Sequence, residues 1–449
     1  MNVTIDPGTY NPDEDVHKIT DYRCVSRDMQ HSSINERLYL HLDMNCFYAQ
    51  VEQQSYDLYG LPIVIGGWRK PDGTPRGIVA TSSYEARQLG IKTGMSAFEA
   101  QQLCPSIIFL QVNYEKYRAI SREVRAVLDD FSPDVEAYSM DEYFMDITFK
   151  WKEGEQAVRE LGRAVKEELY RRTQLVASVG ISYSKTYAKL SSDLEKPDGL
   201  ALVLDQDTAA ERLWPLPLDE VWGIGRRRYE KLKSRRVQTI RDAVDRGPSP
   251  FQKLFGQYFG KMLYETATGK ERARVLQNAD HVPKEVSYMH TFSDYTKDPE
   301  QVRGEIIKAV RQLCYRMRGY ERRARKYVCY IRFQDEAWEG VRFAFNTDGY
   351  TNLDDYVTRA CLTKGMPMVQ HYLDNGYTIR GIGLHTVDLD ATGQLEIFFS
   401  ENEQIRNLYR AQDKINNRYG LDTIMQASLK YDVPGKTHFL ERNPKEEEG

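Results

Sequence analysis

Residues Ala137–Thr148 read AYSMDEYFMDIT. Two adjacent acids, Asp141 and Glu142, interrupt a run that otherwise alternates as a buried strand does. With Val135 and Glu136 in front of it, the stretch reads as two short strands around a tight turn. Taken alone, the doublet is an ordinary turn sequence, because Asp is common in turns. What decides its meaning is the order of elements on either side.

Upstream, RLYLHLD alternates Leu38, Leu40 and Leu42 and reads as a strand ending at Asp43. NYEKYRAISREVRAVLDDF repeats Tyr117, Ile120, Val124, Val127 and Phe131 at helical spacing. Downstream, EQAVRELGRAVKEELYRRT puts Val158, Leu161, Val165 and Leu169 on one helical face, and LVASVGI is a further β-rich run. The order β, α, β-β, α, β is a ferredoxin-like split pattern. In that topology the first and third strands are antiparallel neighbours. The end of the first, Asp43, therefore meets the start of the third, Asp141 and Glu142. Three clustered carboxylates repel one another in a poorly solvated site. A divalent cation relieves that repulsion, and hard oxygen ligands suit Mg²⁺. Two such ions would clamp an in-line phosphoryl displacement. Asp146 follows nearby, but strand alternation makes it a structural residue.

The chain has 449 residues, 41% of them hydrophobic, enough for several packed domains. Its formal net charge is -4, so nucleic-acid binding has to rest on local basic patches. The six cysteines form no C-x-x-C pair and the eight histidines no H-x-x-x-H, which argues against a zinc site or a disulfide framework. That usage fits a reducing cytosol, and a cytoplasmic location is expected. The first residues show no signal-peptide pattern, and no apolar run has the length of a membrane span.

LHLDMNCFYAQVE (Leu40–Glu52) and YSMDEYFMDIT resemble the two metal-binding motifs of the Y-family, translesion DNA polymerases. ATSSYEARQLGIKTGM (Ala80–Met95) resembles that family's fingers motif, and VGISYSKTYAKLSSDLEKPDG (Val179–Gly199) the segment closing its palm. VWGIGRRRYEKL (Val221–Leu232) is similar to the thumb's helix-hairpin-helix. Several motifs in the right order are far more specific than one. Where the family pattern usually carries Asp, this chain has Asn45, as in the UmuC-like branch. That substitution leaves open whether the chain is nearer DNA polymerase IV or UmuC.

The resemblance implies an α+β multidomain, right-hand polymerase with a ferredoxin-like palm, small fingers, a helical helix-hairpin-helix thumb and an α/β little finger. The expected boundaries are an N-terminal extension at 1–36, palm at 37–54 and 114–204, and fingers at 55–113. Thumb at 205–272, linker at 273–282, little finger at 283–390 and a tail at 391–449 complete them. It further implies Asp43, Asp141 and Glu142 as catalytic acids holding two Mg²⁺ ions, with the Met44 backbone carbonyl as a further ligand. The incoming nucleotide would meet Phe47, Tyr48, Thr81, Tyr84, Arg87 and Lys196. Tyr48 would be the steric gate, its ring filling the space a ribose 2′-hydroxyl needs. Lys185 and Lys189 read as an exposed helical face.

Primer-template DNA would be held by Gly223, Gly225, Arg226 and Arg227, the glycines bringing helix-start N–H groups up to a phosphate. The run RQLCYRMRGYERRARKYVCYIRF concentrates Arg316, Arg318, Arg322, Arg323, Arg325 and Lys326, from which Arg322, Arg323 and Arg325 are the expected DNA contacts of the little finger. In the tail, Gln394, Leu395, Ile397 and Phe398 of GQLEIFF resemble the peptide by which bacterial polymerases dock on the β sliding clamp. ENEQIRNLYRAQDKINNRYG after it reads as a weakly amphipathic helix. A monomer that extends a primer with deoxynucleoside triphosphates is expected. The alternatives are an inactive DNA- and clamp-binding scaffold of the same fold, and a nucleotidyl cyclase on a similar palm.

Overall fold

The computed structural model describes residues 37–70, 72–276, 283–334, 340–391, 403–420 and 423–424. The N-terminal 36 residues and the clamp-like motif at Gln394–Phe398 lie outside the described residues. The chain forms two compact units, divided between His281 and Val282.

The first unit opens on strand β1 (Tyr39–Met44), whose Leu40, Leu42 and Met44 are buried. Cys46 turns the chain through the left-handed region (φ 40°) into helix α1 (Phe47–Tyr56). A small lobe follows: β2 (Ile63–Ile65), β3 (Trp68–Arg69), β4 (Pro75–Arg76), β5 (Thr81–Ser82), α2 (Tyr84–Gln88), α3 (Ala97–Leu103) and β6 (Ile108–Leu110). There β2 lies between β5 and β6, and Ser96 and Glu99 close α3 with a capping box.

The chain returns through α4 (Tyr114–Asp129), β7 (Val135–Ala137), β8 (Glu142–Asp146), a short α5 (Thr148–Trp151), α6 (Glu155–Thr173), β9 (Ala177–Ser182), α7 (Lys185–Leu194) and β10 (Leu200–Val203). The sheet order is β10-β9-β1-β8-β7, with β1 antiparallel to both neighbours. This is the split βαβ arrangement read from the sequence, with β10 added at one edge. Tyr117, Val124 and Val127 of α4 and Val158, Leu161, Val165 and Leu169 of α6 share one core with Leu40, Leu42, Met44, Tyr143 and Met145. Burying such side chains contributes about 1.5–3 kcal/mol each. Asp146 has a structural role, its Oδ1 accepting from the Thr148 N–H at 3.0 Å at the start of α5.

The opposite face of the sheet carries α7. At Gly180 of β9 a Cβ would stand 2.1 Å from the Ala188 carbonyl oxygen and 2.2 Å from the Ser192 nitrogen. Among the described residues of the unit, five short α-helices and a single 3-10 turn (Leu218–Glu220) follow: α8 (Gln206–Arg212), α9 (Arg226–Lys233), α10 (Ile240–Arg246), α11 (Ser249–Phe255) and α12 (Gln257–Ala267). They enclose Leu213, Leu218, Leu232, Ile240, Phe251 and Leu263.

The second unit comprises β11 (Ser287–Thr296), α13 (Pro299–Gly319), β12 (Arg322–Phe333), β13 (Gly340–Thr351), α14 (Asp354–Asp374), β14 (Ile379–Thr386), β15 (Leu389–Ala391) and α15 (Glu403–Tyr419). Its main sheet runs β11-β14-β12-β13, with β15 pairing β12. Val302, Ile306, Val310 and Leu313 of α13 and Val357, Cys361 and Val369 of α14 share a core with the inward residues of β12 and β14.

Because α7 touches β9 without room for a methyl group, Gly180→Ala should lower unfolding stability by about 3 kcal/mol or more. Urea unfolding beside wild type measures this, and an unchanged midpoint would contradict the packing.

Candidate active site

The register of β1 against β8 pairs Asp43 with Glu142, and the Met44 N–H donates to the Asp141 carbonyl oxygen at 2.9 Å. The first strand's end and the third strand's start are thereby fixed to each other. The turn before β8 is closed by Ser139, whose Oγ accepts from the Asp141 and Glu142 N–H groups at 3.2 and 3.0 Å. The same hydroxyl donates to Asp141 Oδ1. All three acids are half-buried. Loss of solvent pushes the Asp43 carboxyl up to about 6, against the pull of Lys196. Asp141 is raised too, by desolvation first and the Glu142 charge second.

Two lysines balance these charges. Lys196 Nζ lies 2.7 Å from Asp43 Oδ2 and 2.6 Å from Asp193 Oδ1. Lys189 Nζ pairs with Glu142 Oε1. Burial alone would lower the Lys189 ammonium, but Glu142, Asp43 and Asp193 together outweigh it and hold it above the ordinary lysine value. The expectation of an exposed lysine face on α7 is therefore corrected. Lys189 faces the acids, and Lys185 is buried against Glu136 at 2.7 Å. Packing of α7 between the sheet and the helical cluster leaves little of its surface to solvent.

A buried histidine lies under the acids. His41, two residues before Asp43 and so on the same strand face, places Nδ1 2.9 Å from Ser192 Oγ and Nε2 4.0 Å from Glu142 Oε1. Ser192 spends its own proton on the Lys189 carbonyl at 2.7 Å. The imidazole therefore donates from Nδ1 and turns its Nε2 lone pair toward the carboxylate. Burial, aided by Lys189, keeps the ring neutral. Strand alternation alone put His41 on the acid face, so this residue was findable from sequence.

Tyr48, in the first turn of α1, stacks on Tyr117 with centroids 4.2 Å apart and meets the edge of Tyr114 at 6.3 Å. Its hydroxyl is raised by desolvation and then by the Asp141 charge, so it stands within range of that acid. Phe47 beside it is core. Ser83 caps α2, the helix of Tyr84 and Arg87. The Arg87 guanidinium lies 5.1 Å from the Tyr84 ring and donates to the Ser82 carbonyl at 3.1 Å. The Tyr84 hydroxyl is buried without a hydrogen-bond partner, and both Lys196 and Asp43 act on it electrostatically. Thr81 is half-buried on β5, paired with Ile65 of β2. The acids, Tyr48, Tyr84, Arg87 and Lys196 thus gather at one end of the sheet. Asn45 is locked into the wall of this site. It accepts from Ser178 Oγ at 2.9 Å and, through its carbonyl, from Gln50 at 2.8 Å.

As they stand, no three acidic, histidine or cysteine side chains converge tightly enough to hold an ion among the described residues. Each acid is drawn to its own partner: Asp43 to Lys196, Glu142 to Lys189 and Asp141 to Ser139. The donor set is nevertheless all carboxylate oxygen, the chemistry that suits Mg²⁺.

Gly223 takes a positive φ of 88°, and Gly225 leads into α9 without a side-chain cap. Arg226 and Arg227 at its first turn are exposed, as are Lys231, Lys233, Arg235 and Arg236. Arg228 turns back, donating to the Gly223 carbonyl at 2.8 Å. In the second unit Arg325 is exposed, while Arg322 and Arg323 are half-buried on β12 opposite Ala391 and Asp390. Arg318 does not belong to that basic surface. It is held by Asp354 at 2.7 Å and by Asp413 at 2.6 Å, and its guanidinium lies 4.8 Å from the Tyr409 ring. The weakly amphipathic tail helix is thus α15, docked on the second unit with Tyr409 buried.

Residues 42–193 match the impB/mucB/samB family, and residues 283–397 match that family's C-terminal domain. The chain is 34% identical over 300 residues to DNA polymerase IV of Streptococcus agalactiae serotype Ia, covering 67% of this chain and 81% of the relative. It is likewise 34% identical over 301 residues to DNA polymerase IV of Lactococcus lactis subsp. cremoris. Among solved structures it is similar to the Y-family DNA polymerase chimera Dbh-Dpo4(243-245)-Dbh, with TM-score 0.67 and 23% identity over 79% of this chain and 100% of that one. On this agreement of sequence and fold the chain belongs to the Y-family DNA polymerases, with their right-hand arrangement of ferredoxin-like palm, small fingers, helix-hairpin-helix thumb and α/β little finger.

Proposed function

We propose that this chain, a DNA-directed DNA polymerase by family, extends primers on damaged templates by two-metal phosphoryl transfer. The observation that carries the reading is the cross-strand pairing of Asp43 with Glu142, with Asp141 beside them. Asp43, Asp141, Glu142 and the Met44 carbonyl would hold two Mg²⁺ ions. Bound there, the ions would acidify the primer 3′-hydroxyl and neutralise charge on the transferring phosphoryl group.

The chain's own residues do the rest by positioning, as phosphoryl transfer generally requires. Tyr84, Arg87 and Lys196 would hold the triphosphate. The partnerless Tyr84 hydroxyl supports this, since a phosphate oxygen would satisfy it. Tyr48, braced by Tyr117, would exclude a 2′-hydroxyl. Thr81 belongs to the same nucleotide face in this reading, and Phe47, its ring buried in the core beside Tyr48, would meet the nucleotide only through its backbone. Gly223, Gly225, Arg226 and Arg227 would bind backbone phosphates of the duplex, and Arg322, Arg323 and Arg325 would bind DNA from the little finger, both independent of base sequence. Gln394, Leu395, Ile397 and Phe398 would dock on a β sliding clamp. The expected domain boundaries stand as part of the same proposal. A monomer working in the cytoplasm completes it; no described helix is long and apolar enough to cross a membrane.

Primer extension with Mg²⁺ tests the core of this. Asp141→Ala combined with Glu142→Ala should lower the rate by at least roughly a thousandfold. Equal extension by both proteins would return the chain to the scaffold reading.

Tyr48→Ala should raise incorporation of ribonucleotides relative to deoxynucleotides by roughly tenfold or more. Unchanged selectivity in single-nucleotide kinetics would remove the gate assignment.

The Asp43 carboxyl, raised to about 6, is ionised above that pH and protonated below it. Protons therefore compete with the cation, and extension at limiting Mg²⁺ should be retained at pH 7–8 and fall as the pH drops through about 6. A rate that stays level down to pH 5 would contradict Asp43 as a ligand.

A further inference from the structure

We propose that Lys196 couples nucleotide binding to cation binding: its ammonium occupies Asp43 in the free protein, and its transfer to the nucleotide's phosphates releases that carboxylate for the metal. The inference rests on the polymerase reading of the site and adds an order of events to it.

The geometry begins with an occupied ligand. Lys196 Nζ is 2.7 Å from Asp43 Oδ2, and both side chains are largely shielded, with 26% and 15% of their surfaces exposed. Two cations compete directly for one carboxylate oxygen, because their mutual repulsion at such distances is several kcal/mol even at a dielectric of about 20. A divalent ion therefore meets a site in which one ligand is already neutralised.

Lys196 has somewhere to go. Its second contact, Asp193 Oδ1 at 2.6 Å, is half-exposed and remains available as the ammonium swings. Tyr84, whose hydroxyl is buried and unsatisfied, lies within electrostatic range of both Lys196 and Asp43. Lys196 thus contacts an acid and lies within electrostatic range of an unfilled polar position on the proposed phosphate side. A triphosphate bearing several negative charges outbids one carboxylate for it. Once Lys196 moves, the Asp43 carboxylate is no longer shared with a competing cation, and the metal binds better. Linkage makes the effect reciprocal: a cation on Asp43 displaces Lys196 toward the phosphates.

Lys189 provides the internal comparison. It pairs with Glu142, rises from α7 and lies 5.9 Å from the Tyr138 ring. Among the described residues, the unsatisfied atom it acts on is His41 Nε2 beneath the acids, and not the Tyr84 hydroxyl, so it opposes the metal without handing itself to the nucleotide.

The test uses the full chain. Mn²⁺ binding is followed by electron paramagnetic resonance without nucleotide, then with a non-hydrolysable deoxynucleoside triphosphate. Lys196→Met and Lys196→Gln should both bind Mn²⁺ alone about tenfold more tightly than wild type, with Lys196→Arg unchanged. In the Met and Gln variants the nucleotide should tighten Mn²⁺ binding about tenfold less than it does in wild type. Lys189→Met should also tighten Mn²⁺ binding but keep the wild-type response to nucleotide. Thermal melting in chelator reports that each variant is folded. Unaltered or weaker Mn²⁺ binding by folded Lys196→Met and Lys196→Gln, with binding still abolished by Asp141→Ala/Glu142→Ala, would overturn the coupling and leave the polymerase reading standing. Binding that survives Asp141→Ala/Glu142→Ala would overturn both.

Discussion

The antiparallel pairing of β1 with β8 brings the Asp43 and Glu142 side chains together at one end of a sheet, with Asp141 one residue away. Without compensation, three carboxylates so close and so poorly hydrated would drive one another toward protonation. Asp43 and Asp141 are both raised, so the compensation is incomplete. The rest of the palm is organised around this charge. Lys189 and Lys196 reach it from α7 and from the turn after it, Ser139 binds the backbone and side chain of the doublet, and His41 fills the space beneath. A site held slightly short of neutral by its own lysines is stable enough to fold and still favours additional positive charge.

The face of the sheet that carries the acids also receives the segment before α9 and the segment after α12. Trp222, immediately before Gly223, packs against Tyr138 at 4.9 Å and Phe144 at 6.4 Å. Phe144 is the cross-strand partner of His41 and sits one turn of the pleat from Glu142. The Lys185 ammonium lies 4.5 Å from the same Phe144 ring. Further along, Glu271 caps α7 by accepting from the Thr186 N–H at 2.8 Å, and desolvation pushes its carboxyl up to about 7. The basic loop at Gly223–Arg227 is therefore mounted on the same aromatic and polar layer that supports the acid-bearing strands.

Much of this was legible in the sequence, and the limits have physical causes. The meeting of Asp43 with Glu142 followed from topology, because a split βαβ order leaves few choices of neighbour. The cores of α4 and α6 followed from period, since each has one face on the sheet and one in solvent. Helix α7 broke that rule. Lys185, Thr186, Tyr187, Ala188, Leu190, Ser191 and Ser192 are all buried, so its polar residues face protein instead of water. A pattern that equates lysine with solvent misreads such a helix. Arg318 failed for a different reason: its partner Asp413 lies 95 residues away on a helix that no spacing rule connects to it. The acids were found because the fold class fixes strand order; the counter-charges were missed because nothing local fixes which lysine turns inward.

The two buried cations that sequence reading misplaced share a physical logic. Removing water from Lys185 and Glu136 costs more than an apolar pair of the same volume would, so their attraction alone is weak evidence for stability. What distinguishes them is the backbone they hold. Glu136 Oε2 accepts from the Leu276 N–H at 2.6 Å, and Tyr39 donates to the Ala273 carbonyl at 2.7 Å. The segment after α12 is thus fastened to the β1–β8 sheet by groups an apolar pair lacks. In the second unit Arg318 combines Asp354 and Asp413 with the Asn352 carbonyl at 2.7 Å, joining α13, the start of α14 and the tail helix α15. In both units a buried charge fixes where a connecting segment lies, a specificity that hydrophobic contact, being non-directional, does not supply.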